Sequence, residues 1–297
     1  MSSLDEQIRL AAFNWLQKQT DIHGDVLPRD LLKQGFVFEN EIIYLVSRQG
    51  IFKPCLMDYP LTITTSTRGP YDDSFSQDGY LIYKYRGTSE HQWENVGLRE
   101  CMKRNLPLIY FHSIIPGKYV AFWPIYIISD DPKTLSFKVA LDDLESINRE
   151  KGRVYEADAR RIYLTSTIRI RLHQRGFRER VLLAYRSQCT LCKLKHQELL
   201  DAAHIIPDGE PESRPTVDNG LALCKLHHAA FDSFLIGITP DYKIEIRKDV
   251  LDEKDGPMLQ HGLKGLHNSK IELPIHKTDY PNKNFLDIRY QRFRNAS

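Results

Sequence analysis

Four cysteine and histidine side chains in the second half of the chain have the spacing of a metal site. Cys189 and Cys192 form a C-x-x-C pair, and Cys224 and His227 form a C-x-x-H pair. Pairs of this spacing let two ligands from one turn of chain reach a tetrahedral Zn²⁺. Because four such ligands leave no coordination position open, they predict a closed, structural zinc site. Unrelated core cysteines and a redox-active pair are the alternatives, although no thioredoxin-like βαβ pattern surrounds the first pair.

A second set of polar residues lies beside these ligands: His204, Asn219, His228 and Asp232. On a helix, residues three or four apart share a face, whereas adjacent residues point about 100° apart. The stretch NGLALCKLHHAAFD, residues 219–232, therefore places Cys224 and His227 on one face and His228 and Asp232 on another. The two adjacent histidines are predicted to serve different metals.

The motifs AHIIP, NGLALC and HHAAFD, with DGPML and IELP further along, resemble the HNH endonucleases, in a bacterial branch described as predicted restriction endonucleases. The resemblance covers residues 177–274 and includes the eight-residue gap between Asn219 and His228. It implies a zinc-stabilised ββα-metal fold that hydrolyses DNA phosphodiester bonds. It also implies His204 as the general base, Asn219 as the brace of the loop that holds His204, and His228 and Asp232 as ligands of Mg²⁺ or Mn²⁺.

One position departs from this pattern. Many such sites place a metal-binding aspartate or histidine immediately before the general base, where this chain has Ala203. If the segment is a strand, Asp201 lies on the same face as Ala203. We expect Asp201 either to compensate as a ligand of the catalytic ion or only to support the other ligands. An inactive site stays open as an alternative.

The N-terminal half has a different pattern. Apolar residues at helical spacing predict a helix over residues 4–19, and PRDLLKQGF predicts a short helix with Pro28 near its first turn and Gly35 after its end. From about residue 42 to 140, short runs rich in Tyr, Ile, Val and Phe, such as YLIYKYRG and KYVAFWPIYII, predict a β-rich domain. One helix is expected within it, around residues 95–103.

Residues 69–128 of this half resemble the SRA domain, a PUA-like β-barrel that binds modified cytosine. The order of GPYDDSFSQDGYLIYKYRGT, ENVGLRE, LPLIYF and KYVAFWPIYII carries the resemblance. It implies that the modified base is flipped out of the duplex into a pocket. Tyr71 and Tyr85 would stack on the base, and Asp73, with Asp72 as its close rival, would accept a hydrogen bond from the cytosine amine. Ordinary strand tyrosines and an aspartate turn are the alternatives.

These patterns together predict an α+β protein in three parts. An SRA-like reader with N-terminal helices occupies residues 1–145, a basic linker residues 146–176, and an HNH endonuclease domain residues 177–297. Residues 149–180 carry ten Lys and Arg against four Asp and Glu. Such a stretch is typical of a surface that follows DNA phosphates, or of a solvated helix face. The net charge of +2 does not by itself indicate nucleic acid.

We therefore expect a modification-dependent restriction endonuclease that acts on double-stranded DNA carrying 5-methyl- or 5-hydroxymethylcytosine. One alternative is an HNH nuclease whose barrel senses another modification or a small-molecule signal. The other is a zinc-stabilised DNA-binding protein without catalysis. No apolar run approaches the roughly 18 residues that span a bilayer, and no secretory signal begins the chain, so a cytoplasmic location without a membrane partner is expected. One nuclease site per chain and two strands to cut predict a homodimer. Cys55 and Cys101 are expected to be buried, reduced thiols.

Overall fold

The computed structural model describes most of the chain: residues 3–65, 74–76, 78–141, 172–254 and 256–296. The chain divides into two compact units, residues 1–172 and residues 173–297. Helices and strands occur in both units, as the predicted α+β class requires. The predicted linker, residues 146–176, falls almost entirely outside the described residues, so its boundaries stay predictions.

The first unit contains three helices and ten strands among its described residues. The helices are α1 (Leu4–His23), α2 (Arg29–Gln34) and α3 (Trp93–Lys103). The strands are β1 (Val26–Pro28), β2 (Phe36–Phe38), β3 (Glu41–Ile43), β4 (Ile51–Phe52), β5 (Thr62–Thr64), β6 (Ser74–Phe75), β7 (Leu81–Lys84), β8 (Leu108–Ile115), β9 (Lys118–Asp131) and β10 (Ser136–Ala140). Eight of these strands form one sheet in the order β4-β5-β8-β9-β10-β7-β6, with β1 also paired to β9. All neighbours are antiparallel except β5 and β8, and β2 and β3 form a separate hairpin.

A buried arginine fixes α1 to this unit. Arg9 is 2% exposed, and its guanidinium donates to the Asp5 carboxylate and to the backbone carbonyls of Pro60 and Pro107. A buried charge is tolerated when it is paired and hydrogen-bonded in this way. The contacts hold the helix against the segments that lead into β5 and β8.

The helices of the first unit confirm the sequence pattern. The helix predicted over residues 4–19 is present and continues to His23. The short helix lies between Pro28 and Gly35 as predicted, and Gly35 has a φ of 66°. A Cβ there would lie 2.1 Å from the carbonyl oxygen of Ile43, so this turn requires glycine. None of the described helices is both long and apolar enough to cross a membrane.

The second unit contains short strands and helices packed around one apolar core. Residues 172–184 are helical and are called α4. The other elements are β11 (Leu200–His204), β12 (Gly220–Cys224), α5 (Lys225–Asp232), β13 (Ile236–Ile238), β14 (Ile244–Ile246), α6 (Lys248–Asp252), α7 (Pro257–Gly262) and α8 (Lys283–Asn295). Single 3₁₀ turns occur at Gln197–Leu199, Val217–Asn219, Lys264–Leu266 and Lys277–Asp279.

The order of β11, β12 and α5 places the polar residues of this unit. The two strands are antiparallel, with Leu200 opposite Cys224 and His204 opposite Gly220. The helix α5 follows β12 directly, with Cys224 as its N-cap residue. Residues of the first turns of α5 therefore lie near the start of β11, and His204 lies at the far end of the strand pair.

Candidate functional site

The four predicted zinc ligands come together where the turn before β11 meets the start of α5. The ligand atoms of Cys189, Cys192, Cys224 and His227 all lie within 4.8 Å of one another. The Sγ atoms of Cys192 and Cys224 are 3.9 Å apart, and His227 Nδ1 lies 3.4 Å and 3.2 Å from the Sγ atoms of Cys189 and Cys224. A tetrahedral Zn²⁺ with bonds of about 2.3 Å to sulfur and about 2.0 Å to nitrogen separates its ligand atoms by about 3.5–3.8 Å. The group could therefore hold a metal such as zinc.

A hydrogen bond fixes which nitrogen of His227 faces the cysteines. His227 is buried, and its Nε2 lies 2.7 Å from the carbonyl oxygen of Gly262. A carbonyl can only accept, so Nε2 donates and Nδ1 keeps its lone pair toward the sulfurs. The pKa of the Cys189 thiol is lowered, chiefly because the Cys224 side chain hydrogen-bonds to it. The same hydrogen bond raises the pKa of the Cys224 thiol to about 11, so the feature that suits a ligand group is the tautomer of His227.

His204 presents a half-buried imidazole at the end of β11. Its ring stacks on the ring of Phe177 from α4, with 3.9 Å between the ring centroids and 10° between the planes. Burial lowers the pKa of His204 below its ordinary value. The imidazole therefore stays neutral near neutral pH, which is the state that can accept a proton.

Asn219 joins both ends of the loop that follows His204. The side chain is fully buried, and its Oδ1 accepts from the backbone N–H of Ile206 at 2.9 Å. Its Nδ2 donates to the carbonyl oxygens of Ile206 and Arg214 and to the hydroxyl of Ser213, at 3.0–3.3 Å. The structure thus gives Asn219 a bracing position, with its amide directed into the loop.

His228 lies on α5 between two carboxylates. Its Nδ1 is 3.4 Å from Oδ2 of Asp201, and its Nε2 is 3.2 Å from Oδ2 of Asp232. Burial alone would raise the pKa of Asp201, but hydrogen bonds from Lys225 and His228 outweigh it and lower the pKa. Ala203, which stands where related sites have a ligand, is fully buried in the core. Asp201 is therefore the acidic side chain that β11 brings to His228.

These three predicted ligands of the catalytic ion do not converge on one point. An octahedral cation with bonds of about 2.1 Å separates neighbouring ligand atoms by about 3 Å. The carboxylates of Asp201 and Asp232 each lie near this distance from a nitrogen of His228. They meet different nitrogens, however, and the two nitrogens point to opposite sides of the imidazole ring. Within the described chain, the cysteine–histidine group is the one cluster of three or more such side chains whose ligand atoms meet. The predicted set therefore divides into two alternative pairs, His228 with Asp232 and His228 with Asp201.

Two cationic side chains that the sequence analysis did not single out hold these carboxylates. Lys225 Nζ lies 3.0 Å and 2.9 Å from the two oxygens of Asp201. Arg289 from α8 is buried and lies 3.5 Å from Oδ1 of Asp232. Helical spacing could have indicated Lys225, which precedes His228 by three residues. No local spacing could have indicated Arg289, because 57 residues separate it from Asp232.

The predicted base-binding residues of the first unit are described only in part. Three of them lie outside the described residues: Tyr71, Asp72 and Asp73. Tyr85 is 1% exposed, its ring lies 4.7 Å from that of Phe137 between centroids, and its hydroxyl donates to Asp130. A ring buried in the core offers no open face to a base, so this placement does not support the stacking role predicted for Tyr85. Of the two cysteines outside the metal group, Cys101 is buried as expected, whereas Cys55 is exposed.

A cavity of about 350 Å³ opens at a seam in the sheet of the first unit. On one edge of β9, β1 pairs with residues 118–120 and β10 pairs with residues 126–131. Between them, residues 121–125 have no partner strand on that edge within the described ranges. The cavity lies along this gap, and its lining includes Asp25, Phe122 and Trp123. Small-ligand clefts typically measure about 300–1,000 Å³, so the space suffices for a nucleobase.

Comparisons with known proteins bear on the second unit. Residues 189–239 match the model of a family described as HNH endonuclease. The matched segment contains the four cysteine and histidine ligands and also His204, Asn219, His228 and Asp232, but neither Phe177 nor Arg289. No curated protein matches the chain. The chain is similar to a solved structure titled "Modification dependent TagI restriction endonuclease", with 13% sequence identity and a TM-score of 0.31, over 79% of this chain and 81% of that chain.

Proposed function

We propose that this nuclease, which acts on DNA through the HNH endonuclease domain of residues 189–239, is a modification-dependent restriction endonuclease that recognises modified cytosine. The nuclease activity belongs to the matched domain. The dependence on 5-methyl- or 5-hydroxymethylcytosine is the part that we propose. It is supported by the SRA-like order of motifs in residues 69–128 and by the cavity in the sheet of the first unit.

The proposed catalytic mechanism is supported by two histidines that have different surroundings. His204 is stacked on an aromatic ring and is kept neutral by burial, whereas His228 lies between two carboxylates. A neutral imidazole suits a general base, and an imidazole beside carboxylates suits a ligand of a hard divalent cation. Asn219 holds the loop next to the first histidine. A DNA-binding protein without catalysis would need the cysteine–histidine group but not this pair.

The reaction we propose is attack of water on the scissile phosphate. The water oxygen forms a bond to phosphorus as the bond from phosphorus to the 3′ oxygen breaks, and His204 takes the proton that the water loses. The protonated His204 then returns to its neutral form by release of this proton to solvent. A proton from solvent completes the 3′ hydroxyl group. Each step at His204 requires that the imidazole keep its orientation toward the cleft.

Two metals have separate tasks in this proposal. The group of Cys189, Cys192, Cys224 and His227 would hold Zn²⁺ and contribute folding free energy. A divalent cation such as Mg²⁺ or Mn²⁺ would be held by His228 with Asp232, or by His228 with Asp201. When bound, it supplies positive charge to the nonbridging and leaving oxygens of the phosphate.

Recognition of the modified base is assigned to the first unit. Tyr71, Asp73 and Asp72 remain our proposed base contacts from the motif order. The seam cavity offers a further place for an extruded base, because Trp123 and Phe122 supply aromatic rings on its lining. The cavity also fits the alternative in which the first unit senses a different DNA modification or a small-molecule signal.

The test is cleavage of matched plasmids that differ only in cytosine chemistry. Unmodified, 5-methylated, 5-hydroxymethylated and glucosylated DNA of one sequence is incubated with the enzyme and Mg²⁺ or Mn²⁺. We expect cleavage of a modified plasmid and none of the unmodified one, and we expect His204→Ala to lower the rate by about 10²- to 10⁴-fold. Equal cleavage of all four plasmids would reject the reader, and full activity of His204→Ala would reject the assigned base.

A further inference from the structure

Within the described ranges of the chain, the imidazole of His204 is oriented by a ring contact and not by a hydrogen bond. Catalytic histidines are commonly held by a hydrogen bond from the ring nitrogen that does not react to a carboxylate or carbonyl. Among the residues that the structure describes, no group hydrogen-bonds to either ring nitrogen of His204. Its ring stacks on the aromatic side chain of Phe177.

The stack between these two rings is close and nearly parallel. The centroids are 3.9 Å apart and the planes differ by 10°. Phe177 is 2% exposed, so the ring cannot turn away without leaving the core. Rotation of the imidazole about its own side-chain bond would drive its edge into the phenyl face. The phenyl ring therefore restricts the imidazole plane, and it covers a face of the ring and not the edge that carries the nitrogens.

The strand opposite His204 is shaped to admit this ring. Gly220 is the cross-strand partner of His204. A Cβ at Gly220 would lie 2.4 Å from Cγ2 of Val181 and 3.0 Å from Cζ of Phe177. A larger residue would push α4 outward and separate the two rings. The absence of a side chain at Gly220 thus lets Phe177 reach the imidazole.

We infer that Phe177 is a positioning residue of the nuclease, whose ring holds the plane of the His204 imidazole so that a ring nitrogen faces the attacking water. The inference rests on the proposed role of His204 as the base. It goes beyond the family match, since Phe177 lies outside residues 189–239. The aromatic contact takes the place that a hydrogen-bonding carboxylate or carbonyl has beside other catalytic histidines.

The test compares variants at two neighbouring positions of α4 in the full-length, zinc-loaded protein. Phe177→Leu keeps an apolar side chain but removes the flat face of the ring. Val181→Ala is the matched control, because Val181 is fully buried and packs at the same glycine. For each variant, kcat and KM for DNA, zinc content and the thermal midpoint are measured. Single-turnover rates at saturating enzyme separate the chemical step from binding.

We expect Phe177→Leu to lower kcat by about 10- to 100-fold, the range expected when a reacting group is misplaced by about 1 Å. Its KM for DNA and zinc content should stay within about twofold of wild type. Val181→Ala should keep most of kcat even if its thermal midpoint falls as far as that of Phe177→Leu. Wild-type kcat in Phe177→Leu, or an equal loss in Val181→Ala, would overturn the inference.

A spectroscopic measurement does not depend on activity. A phenyl ring stacked on an imidazole shifts the imidazole proton resonances upfield through its ring current. In spectra of protein labelled at the histidine rings, the His204 resonance is identified by its absence in His204→Ala. The upfield shift should vanish in Phe177→Leu and persist in Val181→Ala. If the shift vanishes but kcat does not change, the positioning role is wrong while the proposed base stands. Full activity of His204→Ala would instead reject the base itself.

Discussion

Replacement of Asn219 tests whether the loop after His204 is held by one side chain. The amide of Asn219 accepts one hydrogen bond and donates to three oxygens, all within the buried loop. Each such bond contributes about 1 kcal/mol net, and each buried group left without a partner costs about 1–3 kcal/mol. Asn219→Ala removes all four contacts and leaves the buried N–H of Ile206 without this acceptor. We therefore expect a loss of about 3–5 kcal/mol from the free energy of unfolding of the second unit.

The isosteric change Asn219→Asp sharpens this expectation. The aspartate keeps the acceptor for Ile206, but its second oxygen would face the carbonyl oxygens of Ile206 and Arg214 at about the distances where the amide now donates, 3.1 Å and 3.0 Å. Oxygen facing oxygen in a buried site is repulsive, so this variant should be no more stable than the alanine variant despite its shape.

Urea unfolding of the zinc-loaded protein, followed by far-ultraviolet circular dichroism, measures both variants. Cleavage is then assayed at a temperature where each variant is folded. If the loop holds His204, the folded variants should still bind DNA but cleave it at least about 10-fold more slowly. An unfolding free energy within about 0.5 kcal/mol of wild type for Asn219→Ala would refute the bracing role. So would a stable, fully active Asn219→Asp.

The two metal groups, one half-buried histidine and the assembly state give further measurable expectations. Cys192→Ser should lower bound zinc and thermal stability together, since a structural zinc contributes folding free energy; elemental analysis that finds no zinc in the wild type would contradict the group. Asp232→Asn and Asp201→Asn should raise the Mg²⁺ concentration needed for activity to different extents, because His228 can share an ion with only one of the two carboxylates. Equal increases in a Mg²⁺ titration of the two variants would contradict the two alternative pairs. Burial lowers the pKa of His112 from 6.5 to about 4. Between about pH 6.5 and about pH 4, His112 is therefore protonated in the unfolded chain but neutral in the folded chain. The free energy of unfolding of the first unit should fall by up to roughly 3 kcal/mol across this range as the pH is lowered. His112→Gln should flatten that loss in urea titrations at several pH values, and an unchanged pH dependence would contradict it. A homodimer on DNA predicts direct linear product from a plasmid with one modified site and a rate that rises with the square of enzyme concentration, whereas accumulation of nicked product by a monomer would exclude it.

The metal group shows why some features of this protein can be predicted from sequence. Cys189 and Cys192 lie on one turn, and Cys224 and His227 lie on the first turn of one helix, so each pair is set by local geometry. Metal chemistry then limits how the two pairs can meet. The helices α1 and α2 could be predicted for a similar reason, because the spacing of their apolar residues and the glycines after their ends are also local features of the sequence.

The contacts that complete the site are not local, and sequence alone could not indicate them. The carbonyl of Gly262 that orients His227 carries no side-chain information, and any residue type would offer the same oxygen. Phe177 and Arg289 reach the site from helices far along the chain. The ligand set predicted for the catalytic ion depends on contacts of the same kind: helical spacing places Asp232 beside His228, but it does not tell which imidazole nitrogen each carboxylate meets.

The helix α8 sets a limit on how this nuclease could be moved to another protein. Phe293 of α8 is 1% exposed, and a Cβ at Gly237 would lie 2.5 Å from its ring. Arg292 forms a double ion pair with Glu210, in the loop that follows His204. The matched segment, residues 189–239, therefore carries the reactive side chains without the surfaces that enclose them. A portable cleavage module for fusion to a different DNA reader must begin ahead of Phe177 and retain α8 in full, because a fragment trimmed to the family motif would expose its own core.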